Sequence, residues 1–177
     1  MNIVLDSIDS KAIVALQEEG RASWADLGAR LGLSAPAAAE RVRKLTESGT
    51  IRGFSALLDP GAAGFPVLAF VAVTLASQGA RAPFLSAVRR HDLIQECHHV
   101  AGDDDFLLKV RARSLTELEA VLADELKGRL GIARTRTTIV LGTAKETTRL
   151  PVDNGEPRRA PDRRATTASR RAARPRR

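Results

Sequence analysis

The sequence predicts an α+β protein: a three-helix winged helix-turn-helix, then a ferredoxin-like βαββαβ domain, then a disordered basic C-terminal tail. Two helical patterns flank a glycine turn within residues 23–45. Residues 65–141 alternate in the order strand, helix, strand, strand, helix, strand. From residue 151 onward no hydrophobic period remains. We therefore expect two folded domains and a tail, at residues 1–60, 61–146 and 147–177.

A first helix is predicted for residues 6–19. Asp6 is its N-cap candidate, because a carboxylate at that position accepts hydrogen bonds from the N–H groups of the first turn. Four residues at helical spacing form its apolar stripe: Ile8, Ala12, Ile13 and Leu16. Gly20 ends the helix. We expect this helix to pack behind the two that follow, which completes a three-helix unit.

The stretch at residues 23–45 has the pattern of a helix-turn-helix. Ser23 and Ser34 are N-cap candidates for its two helices, and Gly32 supplies the positive φ that a sharp turn requires. Three residues of the second helix are predicted to face inward: Ala38, Val42 and Leu45. Small residues open that helix and basic residues follow, which suits entry into a major groove of DNA. An ordinary helical hairpin would show a similar pattern.

Residues 51–58 are apolar and partly β-branched, and we predict a wing strand there. On such a strand Arg52 would lie where it can contact a backbone phosphate of DNA. The Asp59-Pro60-Gly61 sequence then breaks the chain, because proline and glycine favour a turn. This turn gives the predicted boundary between the two domains.

The second half of the chain predicts an antiparallel sheet with helices on one face. Its predicted elements are strand 65–75, a helix around residues 83–90, strand 94–101, strand 106–112, a helix opened by Ser114 and Glu117, and strand 132–141. This order is the split βαβ, ferredoxin-like arrangement. No further element is left to cover the other face of the sheet. We therefore expect a second copy of the chain to cover it, giving a homodimer that could assemble further.

The net charge of +7 is unevenly distributed along the chain. Residues 151–177 contain nine arginines and three carboxylates, so the preceding 150 residues are nearly neutral. Such a basic segment binds nucleic acid through counterion release, or it serves only as a solubilising extension. Cys97 is the single cysteine, which excludes an internal disulfide and fits a reducing cytoplasm. Neither a secretory signal nor an apolar run long enough to cross a membrane is evident, so no membrane partner is expected.

The chain resembles the Lrp/AsnC (feast/famine) family of transcription regulators in both halves. The sheet half contains the run VAGDDDFLL at residues 100–108, which is similar to the family's effector-binding domain. The helical half matches the family pattern at Leu5-Asp6, Asp9, Gly20-Arg21, Leu33-Ser34, Arg41-Val42, Leu45, Gly49, Ile51 and Asp59-Pro60. The resemblance covers roughly residues 3–145 and leaves the tail outside.

This resemblance implies a sequence-specific regulator that binds double-stranded DNA near promoters and responds to an amino acid at an interface between dimers. It also implies dimers formed through the sheets, and often tetramers or octamers. The residues expected to contact DNA are Ser34, Ala35, Pro36, Ala37, Ala38, Glu40, Arg41, Arg43, Lys44 and Arg52. The residues expected to bind the effector are His99, Ala101, Gly102, Asp103, Asp104 and Asp105, with Thr135 and Thr137 as weaker candidates.

Two residues depart from the family pattern. Asp104 stands where the family often has an aromatic residue, which gives this loop three consecutive carboxylates. Those charges would oppose the α-carboxylate of an amino acid unless N–H groups or arginines offset them. Glu40 stands where the family often has a basic residue. It could accept a hydrogen bond from a cytosine amino group, or repel phosphate and reduce non-specific binding.

Two other functions fit parts of the sequence. Sirohaem decarboxylases are similar in their two-domain arrangement, and they use histidines near the sheet to act on a tetrapyrrole. In this chain His98 and His99 would take that role. An architectural protein that coats DNA through its tail, without an effector, is the other possibility. The Cys97-His98-His99 run is not a metal site, because consecutive strand residues point to opposite faces. We therefore predict no catalytic residue, no metal and no cofactor.

Overall fold

The structure is a computed structural model that describes residues 5–123 and 131–153 of the chain. Its helices are α1 (Ser7–Glu18), α2 (Trp24–Leu31), α3 (Ala35–Glu47), α4 (Arg81–Val88) and α5 (Leu115–Ala120). Its strands are β1 (Val67–Leu75), β2 (Ile94–His99), β3 (Phe106–Ala112) and β4 (Ile132–Ile139). None of the described helices has the length and apolar character needed to span a membrane.

The chain divides into two compact units. One consists of the residues up to Ser55 together with those from Thr148 onward, and the other is Ala56–Thr147. We call the first the helix-turn-helix unit and the second the sheet unit.

Helices α1, α2 and α3 pack around a small apolar core. Its buried members are Ala12, Ala15, Leu27, Leu31, Ala38, Val42 and Leu45. The prediction that Ala38, Val42 and Leu45 face inward is therefore confirmed. At the start of α1 the Asp6 carboxylate accepts from the Asp9 N–H at 2.7 Å, and the Asp9 carboxylate accepts from the Asp6 N–H at 3.3 Å. This reciprocal pair is a capping box.

The turn between α2 and α3 has the predicted local chemistry. The Ser23 hydroxyl oxygen accepts from the Asp26 N–H at 3.1 Å, and the Ser34 hydroxyl oxygen accepts from the Ala37 N–H at 3.4 Å. Gly32 ends α2 with a φ of +67°, in the left-handed region that favours glycine. The two helices thus begin and end where their capping residues predict.

The structure corrects the predicted wing strand at residues 51–58. This segment forms no ladder with any strand in the part of the chain that the structure describes. Ile51 packs against the helical core, but the side chains that follow are exposed: Phe54, Leu57 and Leu58. A strand needs a neighbouring strand to pair its N–H and C=O groups. Among the described residues of the helix-turn-helix unit, α1, α2 and α3 are the regular elements, and none of them is a strand.

The sheet has the strand order β2-β3-β1-β4 with every neighbouring pair antiparallel, as the ferredoxin-like prediction requires. One face packs against α4 and α5 through Val71, Val73 and Leu108 together with two aromatic rings. These rings belong to Phe84 and Phe106, and their centroids lie 4.9 Å apart. This core holds the loop between β2 and β3 in place, because Phe106 directly follows that loop.

The opposite face of the sheet mixes apolar and charged side chains. Phe70 on β1 lies at the centre of this face and is 36% exposed. Residues 140–146 lie beside it and, with β1 and β3, line a groove of about 510 Å³. Glu146 accepts from Lys109 Nζ and, at 2.9 Å, from Arg111 Nη2. The hydrogen bond between Lys109 and Glu146 raises the pKa of Lys109 and lowers the pKa of Glu146. We call this surface the open sheet face.

The start of the predicted disordered tail has a defined position in the structure. Residues 148–153 belong to the helix-turn-helix unit, where the Leu150 backbone is hydrogen-bonded to the Gln17 side chain on α1. No local pattern predicts this contact, because residue 150 lies 133 positions from residue 17. The predicted disorder of the rest of the tail, residues 154–177, lies outside the described residues.

Candidate DNA-binding surface and effector site

The N-terminal tip of α3 presents small side chains to solvent. Pro36 and Ala37 are exposed, Ala35 is half-buried, and Ser34 caps the helix. Ala38 differs from its predicted DNA-contacting role, because it is 0% exposed within the core of the unit. It lies on the inward face of the helix, one turn before Val42. The accessible tip is therefore narrower than predicted, and it still has no bulky side chain that would block a groove.

The basic residues on the outer face of α3 are paired with carboxylates of the same helix. Arg43 donates to Glu40, with its Nε at 2.8 Å, and also to Glu47. The hydrogen bond from Arg43 holds the pKa of Glu40 below its ordinary value. Lys44 Nζ lies 3.8 Å from Glu40, and its side chain is 68% exposed. Lys44 is thus less constrained than Arg43, and its ammonium group has room to reach phosphate.

Arg41 connects α3 to the start of α1. Its Nη1 lies 2.6 Å from a carboxylate oxygen of Asp6 and 2.6 Å from one of Asp9. Hydrogen bonds from the Asp9 N–H and from Arg41 lower the pKa of Asp6. The Arg41 side chain is 30% exposed. Its cation is therefore engaged within the unit and sets the position of α3 on α1, a role that the sequence pattern did not reveal.

Arg52 is the remaining basic residue of the predicted DNA surface. It lies on the exposed segment after α3, and none of the ion pairs among the described residues involves it. Of the basic residues predicted to contact DNA, Arg52 and Lys44 have the most freedom to contact phosphate. Arg43 and Arg41 are largely neutralised by their own carboxylates.

The predicted effector loop joins β2 to β3. The Val100 N–H donates to the Asp105 C=O at 3.1 Å and closes the loop, and Gly102 adopts a φ of +140° at its tip. A side chain at such a φ would be strained, so the tip favours glycine. Ala101, Gly102 and Asp103 are exposed. These residues are accessible to a ligand.

The other two aspartates of the loop are occupied by contacts within the chain. The Asp104 side chain is 8% exposed and accepts from Thr74 Oγ1 at 3.0 Å, from Arg136 at 2.8 Å and from Arg134 at 3.3 Å. The Asp105 carboxylate accepts from the Leu75 N–H at 2.7 Å. Two arginines thus offset the Asp104 carboxylate, and within the described part of the chain no ion pair engages the Asp103 carboxylate at the exposed tip.

Arg81, at the start of α4, is a residue that the sequence analysis missed. Its Nη1 lies 3.5 Å from His99 Nε2, and its guanidinium carbon lies 5.5 Å from the centroid of the Phe106 ring. The His99 ring is 5.3 Å from the same ring. No ion pair to Arg81 occurs among the described residues. A guanidinium held on an aromatic ring beside the loop can receive a carboxylate.

Thr135 and Thr137 lie on β4, the edge strand opposite to β2, which carries His99. Thr135 pairs with Val73, Val73 pairs with Phe106, and Phe106 pairs with His99. His99 and Thr135 therefore lie on the two opposite edges of the sheet, separated by three strand spacings or about 14 Å. The loop itself reaches β4, because the Asp104 carboxylate contacts Arg134 and Arg136 on either side of Thr135. The separation therefore applies to His99 and not to the whole loop.

The two histidines of β2 lie on opposite faces of the sheet. His98 is the register partner of Leu107 on β3, and its Nε2 lies 3.1 Å from a carboxylate oxygen of Glu96. The His99 ring instead packs on the Phe106 ring. They cannot both face one tetrapyrrole from this strand. Within residues 5–123 and 131–153 no cluster of three histidine, cysteine or acidic side chains has the geometry of a metal site. Burial raises the pKa of the neighbouring Cys97 thiol, which disfavours the thiolate that binds metals.

Comparison with known proteins links both units to one group of regulators. The AsnC-type helix-turn-helix domain matches residues 5–46, and the Lrp/AsnC ligand binding domain matches residues 68–150. The leucine-responsive regulatory protein of Klebsiella pneumoniae is 40% identical over 151 residues, which cover 84% of this chain and 92% of that protein.

Two solved structures are similar over nearly their whole length. A transcriptional regulator of Neisseria meningitidis in complex with L-Met has a TM-score of 0.81 and 28% identity, covering 86% of this chain and 100% of that one. A feast or famine regulatory protein of Mycobacterium tuberculosis complexed with L-methionine has a TM-score of 0.74 and 34% identity, covering 83% and 99%. Nothing in these comparisons supports a sirohaem decarboxylase.

Proposed function

Because this chain belongs to the Lrp/AsnC family of transcription regulators, we propose that it binds promoter DNA with the tip of α3 and that an amino acid at the β2–β3 loop modulates this binding. As a member of the family it is a DNA-binding transcription regulator that responds to a small molecule. The observation that supports the DNA contact is the exposed, small-residue tip of a capped helix in a helix-turn-helix.

The proposed DNA surface differs from the predicted one in two positions. Ser34, Ala35, Pro36 and Ala37 approach the base edges, while Glu40 and Arg43 stay near them as a paired group. Lys44 and Arg52 contact backbone phosphate. Ala38 is a core residue and Arg41 is a positioning residue, so neither is expected to contact DNA directly.

Replacing Ala37 by glutamate tests this surface directly. We expect affinity for DNA from upstream of the protein's own reading frame to fall at least about tenfold, because a carboxylate would face phosphates and base edges. The fold should tolerate the change, since Ala37 is exposed and an acidic group suits the first turn of a helix. Fluorescence anisotropy on that duplex and on a scrambled one measures the effect.

The matched control is Ala82→Glu, which places the same charge in the exposed first turn of α4 in the sheet unit. It should bind the upstream duplex as the unaltered chain does. If Ala37→Glu and Ala82→Glu bind equally well, the tip of α3 is not the DNA surface.

The effector proposal rests on the loop and on Arg81. Both solved relatives described above carry L-methionine, so we propose an amino-acid effector for this chain as well. Its α-carboxylate would be received by Arg81, and Gly102 and Asp103 would lie beside its amino group. The side chain of the amino acid would be selected by residues of a neighbouring copy, since the loop is open in a single chain.

A pair of related ligands tests the role of Arg81. We expect Arg81→Gln to weaken binding of L-methionine by about 10- to 100-fold, the effect of losing a charge-assisted hydrogen bond. L-methioninamide, which lacks the carboxylate, should bind the unaltered chain more weakly than L-methionine does. Its affinity should change little in Arg81→Gln. Isothermal titration calorimetry measures both, with Arg89→Gln at the other end of α4 as the control. Equal losses for both ligands would contradict a carboxylate contact, and a chain that binds none of the twenty amino acids would contradict the effector proposal.

We also propose that the chain assembles as a homodimer through the open sheet face, with further association into tetramers or octamers. Phe70 and the groove beside residues 140–146 support this, because an apolar centre rimmed by charged side chains is typical of an interface. The protein would act in the cytoplasm, where its DNA is located and where a lone cysteine stays reduced.

A further inference from the structure

Glu40 lies on the exposed face of α3, one turn beyond the small tip of the helix. Pro36 and Ala37 precede it by four and three residues, so the three side chains share one side of the helix. All three are exposed, whereas Ala38 and Val42 point into the core. A tip that enters a major groove therefore brings the Glu40 carboxylate to the base edges as well.

The Glu40 carboxylate is held in one orientation by Arg43. Arg43 Nε donates to Glu40 Oε2 at 2.8 Å, and Arg43 Nη2 donates to Glu40 Oε1 at 2.5 Å. This bidentate geometry fixes the plane of the carboxylate, because both of its oxygens are bonded to one planar guanidinium. Each oxygen keeps a second lone pair, so the fixed carboxylate can accept a further hydrogen bond.

The same pairing removes the electrostatic penalty of an acidic group near DNA. Arg43 also donates to Glu47, and Lys44 Nζ lies 3.8 Å from Glu40, so two cations and two carboxylates share this face of α3. Their charges sum to zero. A free glutamate would be repelled by the phosphates, whereas a neutralised one can approach the groove. What this group can contribute is therefore contact with a base and not attraction to phosphate.

An ionised carboxylate distinguishes the base pairs because it only accepts hydrogen bonds. The hydrogen bond from Arg43 lowers the pKa of Glu40, so this carboxyl group stays ionised. In the major groove the donors are the N4 amine of cytosine and the N6 amine of adenine. Adenine carries its N7 acceptor beside N6, and that lone pair opposes a carboxylate. Cytosine has no acceptor beside N4, so cytosine is the base that fits.

We propose that Glu40 selects a cytosine of the DNA site by accepting a hydrogen bond from its N4 amine, with Arg43 as the positioning residue that fixes the carboxylate. This rests on the proposed DNA-binding function and adds the base that α3 recognises. Glu47 accepts from the same arginine but lies about 10 Å further along the helix axis, away from the tip. It carries the same charge at a position further from the bases.

The preferred bases are measured first, by selecting bound duplexes from a randomised pool with the full chain. We expect C·G pairs at fixed positions of the selected site. Duplexes with each of the four base pairs at every such position are then titrated by fluorescence anisotropy. At the position that Glu40 contacts, we expect the other three pairs to weaken binding by about fivefold or more, the usual cost of one mismatched pair.

The Glu40→Gln substitution separates recognition of a base from the effect of charge. Glutamine keeps the shape of the side chain, and its oxygen and NH₂ group match the N6 and N7 atoms of adenine. We therefore expect Glu40→Gln to change the preference at one position from cytosine to adenine. Glu47→Gln is the matched control, because it removes the same charge from a partner of the same arginine. It should keep the cytosine preference.

The positioning role of Arg43 has its own readout. Arg43→Ala leaves the Glu40 carboxylate without its bidentate partner, so the cytosine preference should decrease at the position that changes in Glu40→Gln. Preferences at the other positions of the site should stay as they are. A general loss of stability would instead weaken binding to all of these duplexes alike. Loss of preference only at a different position would overturn the positioning role.

Three results would overturn the proposal as a whole. The first is a Glu40→Gln chain that keeps the cytosine preference at every position. The second is an equal change of preference in Glu47→Gln, because the effect would then come from charge and not from contact. The third is a selected site without a fixed C·G pair. In each of these cases Ala37→Glu can still weaken binding, which leaves the proposed DNA surface intact. If Ala37→Glu binds as Ala82→Glu does, the surface itself is wrong and this proposal is overturned with it.

Discussion

Replacing Gly28 by alanine will destabilise the helix-turn-helix and remove specific DNA binding. A Cβ atom at this position of α2 would lie 2.7 Å from the Leu33 carbonyl oxygen and 3.2 Å from the Ala35 nitrogen. Both are backbone atoms of the turn, so no side-chain rotation relieves the clash. Overpacking of this kind costs about 1–3 kcal/mol. Because the displaced atoms lead directly into Ser34 and the tip of α3, the DNA surface moves with them.

Circular dichroism on heating and anisotropy with the upstream duplex measure this effect. The control is Gly20→Ala, because the nearest atom to a Cβ there is the Leu16 carbonyl oxygen at 3.6 Å, an ordinary contact. Gly20 is not one of the described glycines that have a positive φ, so alanine is unstrained there. We expect Gly20→Ala to melt and bind like the unaltered protein. A Gly28→Ala protein with the same melting temperature and affinity as Gly20→Ala would contradict the close packing of the turn.

Ending the chain at Asp153 will make DNA binding much less sensitive to salt. The removed residues carry all of the net positive charge, and each phosphate that they neutralise contributes about 0.9 to the slope of log affinity against log salt. We therefore expect the slope to become shallower by between about 3 and 8, depending on how many of the arginines contact phosphate. Anisotropy titrations from 50 to 200 mM salt measure it. The cut lies beyond Leu150, so the variant keeps both residues of the Gln17–Leu150 hydrogen bonds.

The ratio of affinities for the upstream and scrambled duplexes should survive this truncation, since α3 is unchanged. A full-length variant with lysine at all nine arginine positions is the control, and it should keep the steep slope because phosphate contact needs charge more than geometry. An unchanged slope in the shortened chain would show that the tail does not bind DNA. Loss of the affinity ratio together with the slope would favour an architectural protein that coats DNA through its tail.

Local sequence chemistry was sufficient to predict most of the secondary structure. Ser23, Ser34 and Gly32 act on N–H and C=O groups within four residues of themselves, so their spacing alone predicts where α2 ends and α3 begins. The strand order of the sheet followed in the same way from alternating segments and from the turn at Gly102. The predicted wing at residues 51–58 failed because a strand needs a partner, and apolar β-branched composition does not supply one.

The roles of individual charged and polar side chains were decided only by the tertiary structure. Arg41 contacts Asp6 and Asp9 across more than thirty residues, Asp104 contacts Arg136 across 32, and Gln17 contacts Leu150 across 133. Such pairs depend on the face, register and packing of elements that are distant in the chain. The sequence by itself determined the helices, the order of the sheet strands and the family that they resemble, but not the absence of the predicted wing strand. Only the folded chain decided which cations remain free for phosphate and carboxylate ligands, because a charge that meets a partner within the protein is no longer available to DNA or to an effector.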